Sequence, residues 1–237
     1  MVHPCGTPRL DAWEQVSCYC ERGLDPGFWA EPLNASSNVA FLAASLMAYA
    51  DYRARAQPQA DPPAARFLLF LILWVMVIGA GSFLFHTLAT VWARLADVIP
   101  IAIFVLAYLF FAARRFLRLG VRLSLILALA VAAGSQLLPP WFNGSLAYGP
   151  PLAAMILVGG VLKARRHHAG NWILAAAGIF TLSLTFRTLD GGAGCFLIPD
   201  GAGEAQFTIG THSLWHLLNA VTLYLLLRAG VEDLGHE

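Results

Sequence analysis

Gly210-Thr211-His212-Ser213-Leu214-Trp215-His216 opens the last long apolar stretch of the chain, which continues to about Leu227. His212 and His216 are four residues apart, so on a helix both imidazoles project from the same face, one turn apart. Asn219 continues this face. Histidines are rare within membrane-spanning segments and usually have a function there. The stretch therefore predicts a membrane helix that carries a metal-binding or catalytic group near its start.

The composition extends the membrane assignment to the whole chain. Of the 237 residues, 58% are hydrophobic and only 12% are charged, and the mean hydropathy is +0.65. A soluble domain carries about 25% charged residues, so most of this surface does not face water. With a net charge of +1, we expect no nucleic-acid partner. The chain does not open with a cleavable leader pattern, so we expect the first membrane segment to direct insertion.

Seven segments approach the length of about 20 mostly apolar residues that a helix needs to cross a bilayer. They are about Asn34–Tyr52, Phe67–Leu88, Leu95–Phe111, Val121–Leu138, Ser145–Leu162, Trp172–Thr188 and Thr211–Leu227. A single helix from Phe67 to Phe111 would be about 65–70 Å long, twice the bilayer core, so we expect a turn near Thr87–Arg94. The predicted fold class is an all-α integral membrane protein, a seven-transmembrane helix bundle.

Lysine and arginine accumulate on the cytoplasmic side of membrane proteins, and their distribution here indicates an orientation. Eleven of the 15 lysines and arginines lie on one side of the membrane. They are in the connections between spans one and two, three and four, and five and six, and after span seven. The four on the other side are Arg9, Arg22, Arg94 and Arg187. This predicts an extracytoplasmic N-terminal segment (1–33), a seven-helix membrane domain (34–229) and a cytoplasmic C-terminal tail (230–237).

All four cysteines, Cys5, Cys18, Cys20 and Cys195, fall on the predicted outer side. An even number of cysteines in an oxidising compartment favours disulfides, whereas a reducing compartment would keep free thiols. The residues alone do not determine which cysteines pair.

Ser82, His86 and Asp97 form a second group of polar residues within apolar segments. Ser82 and His86 are four residues apart and share a helix face, and Asp97 follows eleven residues after His86. The expected turn would bring Asp97 back beside them, at the same outer depth as His212 and His216. Taken singly, His86 could cap a helix and Ser82 could pack between helices. Taken together, the five residues predict a site.

Three histidines are suitable zinc ligands, because zinc with three imidazoles keeps one position for water and lowers its pKa toward about 7. Asp97 could accept the proton of that water and later donate it to a leaving amine. The Ser82 hydroxyl could donate a hydrogen bond to the oxyanion of a tetrahedral intermediate. This combination predicts hydrolysis of an amide or ester whose apolar tail lies among the helices.

The chain resembles the alkaline ceramidase family, within a superfamily of seven-span hydrolases that includes the adiponectin receptors. The resemblance extends from about Cys20 to Arg228. Three elements of the family pattern are found in this chain. They are Ser82-x-x-x-His86, Asp97 eleven residues later, and His212-x-x-x-His216. Near the N-terminus, Cys20-Glu21-Arg22 and the segment Phe28–Asn38 also resemble family sequences, as does Cys195 after Arg187 and Asp190.

The resemblance implies a zinc ion bound by His86, His212 and His216, catalytic roles for Ser82 and Asp97, and a Cys20–Cys195 disulfide. It also implies a calcium site in the N-terminal segment, for which Glu21 and Glu31 match two carboxylate ligands. The chain departs from the pattern here, because Cys18 precedes the Cys20-Glu21 pair where an acid is expected and Gly23 replaces an amide. A carboxylate such as Glu31 before Pro32 would also be favourable simply at a helix N-terminus.

The predicted function is zinc-dependent intramembrane hydrolysis of the N-acyl bond of ceramide, or of another N-acyl lipid taken from the bilayer. The high Ala, Leu and Arg content is common in bacterial proteins, so we expect an inner-membrane protein with its site toward the periplasm. One alternative is a non-catalytic seven-span receptor or sensor with a structural zinc closed by four ligands. Another is a transporter, although the two halves show no sequence repeat. The residues do not indicate the oligomeric state.

Overall fold

The computed structural model describes residues 2–8, 10–57, 60–142, 144–190, 193–199 and 205–235. Its helices are α1 (Pro32–Ser37), α2 (Val39–Arg55), α3 (Pro62–Leu88), α4 (Val91–Arg115), α5 (Val121–Leu137), α6 (Gly149–Ala164), α7 (Ala169–Leu189) and α8 (His212–Gly235). A 3₁₀ turn, Ser145–Tyr148, leads into α6. The strands are β1 (Val2–Pro4), β2 (Gln15–Ser17), β3 (Phe196–Pro199) and β4 (Ala205–Ile209). β1 pairs with β2 in parallel and β3 with β4 antiparallel.

In the part of the chain that the structure describes, five helical segments are long and apolar enough to cross a membrane, judged by length and composition. They are α3, α4, α7, α8 and the unit formed by the 3₁₀ turn with α6. α5 is apolar but has only 17 residues, and α2 also has 17. The predicted helical membrane class is confirmed, whereas the number of seven crossings and the orientation stay predictions.

The seven long helices form a closed ring. Each helix from α2 to α8 contacts the next one along the chain, and α8 returns to contact α2. α3 also packs directly against α8, and these two helices contribute nearly half of the buried residues of the central core. Fully buried side chains of this core are Leu68, Leu71, Ile72 and Val75 of α3 and Leu227, Val231 and Leu234 of α8.

The turn between α3 and α4 lies at Ala89 and Thr90, inside the stretch where the length argument places it. Ala89 adopts a left-handed conformation with φ of 52°, which ends α3 without a glycine. The Thr90 hydroxyl then accepts a hydrogen bond from the Ala93 N–H at 3.4 Å and caps the start of α4. The left-handed Ala89 and the N-cap Thr90 thus form the turn without the glycine or proline that commonly marks one.

α3 and α4 approach each other most closely beside Gly81. Pro100 lies inside α4 and has no N–H to donate to the Ala96 carbonyl four residues earlier. Gly81 packs against this carbonyl so closely that a Cβ added to Gly81 would lie 2.0 Å from the Ala96 oxygen. The residues that follow Gly81 and Ala96 are Ser82 and Asp97. The close contact therefore brings the serine and the carboxylate to the same place.

The N-terminal segment covers the end of the ring that contains the α3–α4 turn. The Val16 N–H donates to the Ala89 carbonyl at 2.7 Å, and the Val91 N–H donates to the Glu14 carbonyl at 3.0 Å. All four cysteines, each in the described part of the chain, are paired as Cys5–Cys18 and Cys20–Cys195. The second bond joins the N-terminal segment to the connection between α7 and α8, as the resemblance implies.

The opposite end of the ring is held by charged side chains. Arg115 at the end of α4 donates to Asp233 of α8 at 2.5 Å and to Asp61, which caps α3, at 2.9 Å. α8 continues to Gly235, so the helix extends into the predicted cytoplasmic tail. The physical reason is that Asp233 and Leu234 are buried against neighbouring elements and extend the helix.

Candidate active site

The three histidines predicted as zinc ligands lie together in the interior. His86, near the end of α3, and His212 and His216, in the first turns of α8, are at most 2% exposed. Their ring centroids are 4.6 to 5.2 Å apart. Each ring offers a nitrogen within 4.8 Å of a nitrogen from each of the others. The pair at i,i+4 on α8 therefore meets the histidine of α3 as the sequence predicts.

Two of the rings are oriented by groups from residues 31–37. Nδ1 of His86 lies 2.6 Å from the Glu31 carboxylate, and Nδ1 of His216 lies 2.8 Å from the Ser37 hydroxyl. Ser37 donates its own hydrogen to the Asn34 carbonyl at 2.9 Å, so it accepts from His216. This network assigns the N–H to Nδ1 in both rings and leaves the Nε2 lone pairs for a metal.

The unpaired nitrogens fit a metal ion. Among the described residues, Nε2 of His86 and Nδ1 of His212 are buried and have no hydrogen-bond partner. Nε2 of His216 has only the Ser82 hydroxyl nearby, at 3.5 Å. Leaving buried polar atoms unsatisfied costs free energy, and coordination would remove that cost. Three converging imidazoles with oriented rings are a donor set that zinc prefers.

His212 is held from two further sides. Its backbone N–H donates to the Asp190 carboxylate at 3.1 Å, and the same carboxylate accepts the Cys20 N–H at 3.1 Å. The Tyr19 ring stacks on the His212 ring with centroids 3.7 Å apart. Asp190 and Tyr19 thus connect the end of α7, the N-terminal segment and the start of α8 around one ligand.

Ser82 and Asp97 complete the predicted group. Both side chains are buried and line the same cavity as His212 and His216. The Ser82 hydroxyl lies 3.5 Å from Nε2 of His216. Oδ1 of Asp97 is buried and has no hydrogen-bond partner among the described residues. The structure therefore brings all five predicted residues together.

A mostly apolar cavity leads away from these residues through the middle of the ring. One wall is a single face of α4, formed by Asp97, Ile101, Phe104, Val105 and Tyr108 at helical spacing. The lining continues to Ala112, so this wall is about 22 Å long at 1.5 Å per residue. The polar site thus lies at one end of a long apolar channel.

Arg187 places a positive charge at the polar end of the cavity. Its guanidinium carbon lies 5.4 Å from the centre of the Tyr148 ring and 5.6 Å from the Trp215 ring. It also donates to the Ser145 hydroxyl at 3.3 Å. From the sequence, Arg187 is expected only as a charge on the outer side, ahead of Asp190 and Cys195. Its position at the site depends on contacts with the 3₁₀ turn and with Trp215 of α8, which no local pattern reveals.

Glu21 and Glu31, the candidate calcium ligands, have other partners. The Glu21 carboxylate accepts the N–H groups of Leu33 and Asn34 at 2.7 and 2.9 Å, at the start of α1. Burial raises the pKa of Glu21 above its ordinary value, although these two hydrogen bonds act to lower it. For Glu31, burial alone would raise the pKa, but its nitrogen partners outweigh burial and hold the pKa below its ordinary value.

The described residues contain two groups of side chains that could hold a metal ion, and neither includes Glu21 or Glu31. One is the histidine triad and the other is His167, His168 and Asp233 at the opposite end. All four oxygens of Glu21 and Glu31 accept hydrogen bonds from nitrogen. The arrangement does not fit the calcium site that the resemblance implies.

Comparison with protein families gives one finding that covers most of the chain. A family model for ceramidases matches residues 19–231, from the tyrosine that stacks on His212 to the buried part of α8. A comparison with individual curated proteins gives no match. The matched region contains the three histidines, Ser82, Asp97 and the cavity wall. The chain belongs to the ceramidase family.

Proposed function

We propose that this protein is a zinc-dependent intramembrane amidase that hydrolyses the N-acyl bond of ceramide, or of a ceramide-like lipid, to a sphingoid base and a fatty acid. Family membership supports ceramide hydrolysis. The observation that carries the zinc dependence is the buried histidine triad with unpartnered nitrogens beside Ser82 and Asp97. The charge distribution supports seven crossings with the site toward the outer, periplasmic face of a bacterial inner membrane.

His86, His212 and His216 would hold the zinc ion. When bound, the ion would supply activation of a water molecule and polarisation of the amide carbonyl. Glu31 and Ser37 keep two of the imidazoles in the required tautomer and orientation. Such partners of metal-bound histidines contribute to affinity as well as to geometry.

Asp97 is the proton carrier in this proposal. Its carboxylate accepts a proton from the attacking water and then donates that proton to the leaving amine nitrogen. Buried in the site with one oxygen unpartnered among the described residues, it has a free acceptor for this proton. The Ser82 hydroxyl, 3.5 Å from Nε2 of His216, donates a hydrogen bond to the developing oxyanion.

The apolar channel supports a lipid substrate over a water-soluble amide. A hydrocarbon chain that occupied the α4 wall beyond Ile101 would place its polar end beside Asp97 and the histidines. Burial of such a chain contributes about 0.8 kcal/mol for each methylene group. Chain binding therefore positions the amide bond at the site.

The test is zinc stoichiometry by elemental analysis, together with hydrolysis of a fluorescent short-chain ceramide by detergent-purified protein. We expect about one zinc per chain, since three histidines and water complete a catalytic site. We expect His216→Ala to lose zinc and activity together. His3→Ala removes a partly exposed histidine from β1 and is the matched control, with zinc and activity retained. Hydrolysis that persists in His216→Ala, or zinc without hydrolysis of any N-acyl lipid, would contradict the proposal.

A further inference from the structure

Arg22 is a fully buried cation beside the histidine triad. Its side chain has no exposed surface, and its guanidinium has five N–H groups. The structure supplies five acceptors, one carboxylate and four backbone carbonyls. They are Glu31 Oε1 at 2.7 Å, and the carbonyl oxygens of Asp25 at 3.1 Å, Gly27 at 3.0 Å, His86 at 3.0 Å and Thr87 at 3.3 Å. The number of acceptors matches the number of donors.

These oxygens resemble the coordination sphere of a hard metal ion. Carboxylates and backbone carbonyls are the ligands that calcium prefers in proteins. Here the positive charge that they surround belongs to the chain itself. A calcium ion bound by Glu31 would have to displace Arg22, whose buried charge would then lose its carboxylate partner.

Arg22 links the N-terminal segment to the end of α3, beside the proposed metal ligand His86. Its Nη1 group holds the Asp25 and Gly27 carbonyls of the N-terminal segment, while its Nη2 group holds the last carbonyls of α3. A cation at a helix C-terminus is also favoured by the helix dipole. Nε fixes one oxygen of Glu31, whose other oxygen contacts His86 Nδ1 at 2.6 Å.

We propose that Arg22 is a built-in cation that takes the place of calcium in this chain. It acts as a positioning residue, because it holds Glu31 on His86 and ties the N-terminal segment to the end of α3. The protein therefore binds zinc without any requirement for calcium. The inference rests on the proposed zinc site, although not on the identity of the lipid that is cleaved.

The first test uses the wild-type protein and needs no substrate. We expect elemental analysis of protein purified with calcium in the buffer, then passed into calcium-free buffer, to find zinc but no calcium. We also expect the Tm to be the same in calcium-free buffer and in millimolar CaCl₂. A bound calcium in stoichiometric amount, or a rise in Tm of about 2 °C or more on adding CaCl₂, would overturn the proposal.

The second test measures zinc affinity by competition with a chelator, at a temperature where circular dichroism shows each variant to be folded. We expect Arg22→Gln to bind zinc about 10- to 100-fold more weakly, since the partner of a metal ligand is released. Arg22→Lys keeps the charge without the five donors, so its affinity should be intermediate. Arg94→Gln, a change of an arginine outside this network, should leave the affinity unchanged.

A purely structural role for Arg22 would give a different result. Arg22→Gln would then have a lower Tm but the same zinc affinity when folded, and this outcome would contradict the positioning role. If Arg22→Gln does not fold, the comparison of Arg22→Lys with the wild type makes the same distinction. Both tests are independent of ceramide hydrolysis, so a protein that binds zinc but cleaves no ceramide would contradict only the proposed activity.

Discussion

Two of the three proposed metal ligands donate hydrogen bonds to residues that precede the first long helix. Glu31 accepts from His86, and Ser37 accepts from His216. Without these acceptors, each imidazole could exchange its N–H between the two nitrogens and rotate about its side-chain bonds. The tautomer and the ring direction are therefore set by Glu31 and Ser37 as much as by the helices that carry the histidines.

Replacing Ser37 with alanine should weaken zinc binding about 10- to 100-fold, because His216 Nδ1 would lose its acceptor. Competition with a chelator of known affinity measures this change directly. Ser36→Ala is the matched control, since the Ser36 hydroxyl is exposed and contacts only the Pro32 and Leu33 carbonyls. Equal zinc affinity in Ser36→Ala and Ser37→Ala would show that the contact with His216 does not matter for the metal.

The residue types and spacings predict Ser82, His86, Asp97, His212 and His216. Two pairs have a spacing of four residues within one helix, and Asp97 follows its partners across one turn. Ser37 escaped prediction because its partner is 179 residues away in the chain. Arg22 escaped prediction for a similar reason, since four of its five acceptors are backbone carbonyls, which a sequence pattern does not distinguish. The expected calcium role of Glu21 and Glu31 followed the family resemblance and did not take account of Arg22.

Among the secondary-structure elements, the α3–α4 hairpin determines how close Ser82 lies to Asp97. Pro100 leaves the Ala96 carbonyl without its helical partner, and Gly81 allows α3 to pack directly against it. Ser82 and Asp97 are the next residues in each helix. A change in the distance between these helices would therefore change the distance between these two side chains, to which we assign catalytic roles.

Gly81→Ala should reduce kcat/KM about 100-fold, because a displacement of about 1 Å in an active site has an effect of that size. The new Cβ would meet backbone, at 2.0 Å from the Ala96 oxygen, so only movement of a helix could relieve the contact. Overpacking of this kind also costs about 1–3 kcal/mol of stability, which thermal unfolding would detect.

Gly160→Ala is the control for this variant, because nothing lies within 4 Å of a Cβ at Gly160 in α6. Alanine is favoured over glycine in a helix, so we expect unchanged activity and equal or higher stability. A Gly81→Ala variant with wild-type activity would show that the close contact does not position Asp97.

The length of the apolar stretch compared with the bilayer thickness predicts where the α3–α4 turn lies. The sequence does not indicate which residues form that turn. Left-handed alanine is uncommon, so Ala89 carries no local signal for a turn. The last turn of α8 is stabilised by burial of Leu234 and by the Arg115–Asp233 pair, which are tertiary contacts that carry no local sequence signal either.

At the scale of the whole molecule, the two ends of the ring differ in how they are held. One end carries both disulfides and the histidine triad. The other end carries ion pairs, among them Arg228 with Asp51 at 2.6 Å and Arg115 with Asp61 at 2.9 Å. Disulfides persist in an oxidising compartment, and the excess of arginine marks the cytoplasmic side. The two indicators agree on the orientation.

A cysteine introduced at Leu24 should react with a membrane-impermeant maleimide in intact spheroplasts, whereas one at Arg165 should react only after the membrane is opened. Leu24 is 75% exposed beside the disulfide-bonded end, and Arg165 is exposed at the end of α6. The native cysteines are all paired, so they should give little background. The reverse pattern of labelling would invert the proposed topology.

The three histidines of the proposed zinc site lie far apart in the chain, and this has a consequence for biosynthesis. Glu31 and Ser37 leave the ribosome before any of these histidines, and α8 with His212 and His216 leaves last. A nascent chain that has not yet released α8 contains only His86 of the three. In the proposed site, zinc would therefore be bound only after synthesis of α8, and a chain that terminated before α8 would lack two of the three ligands.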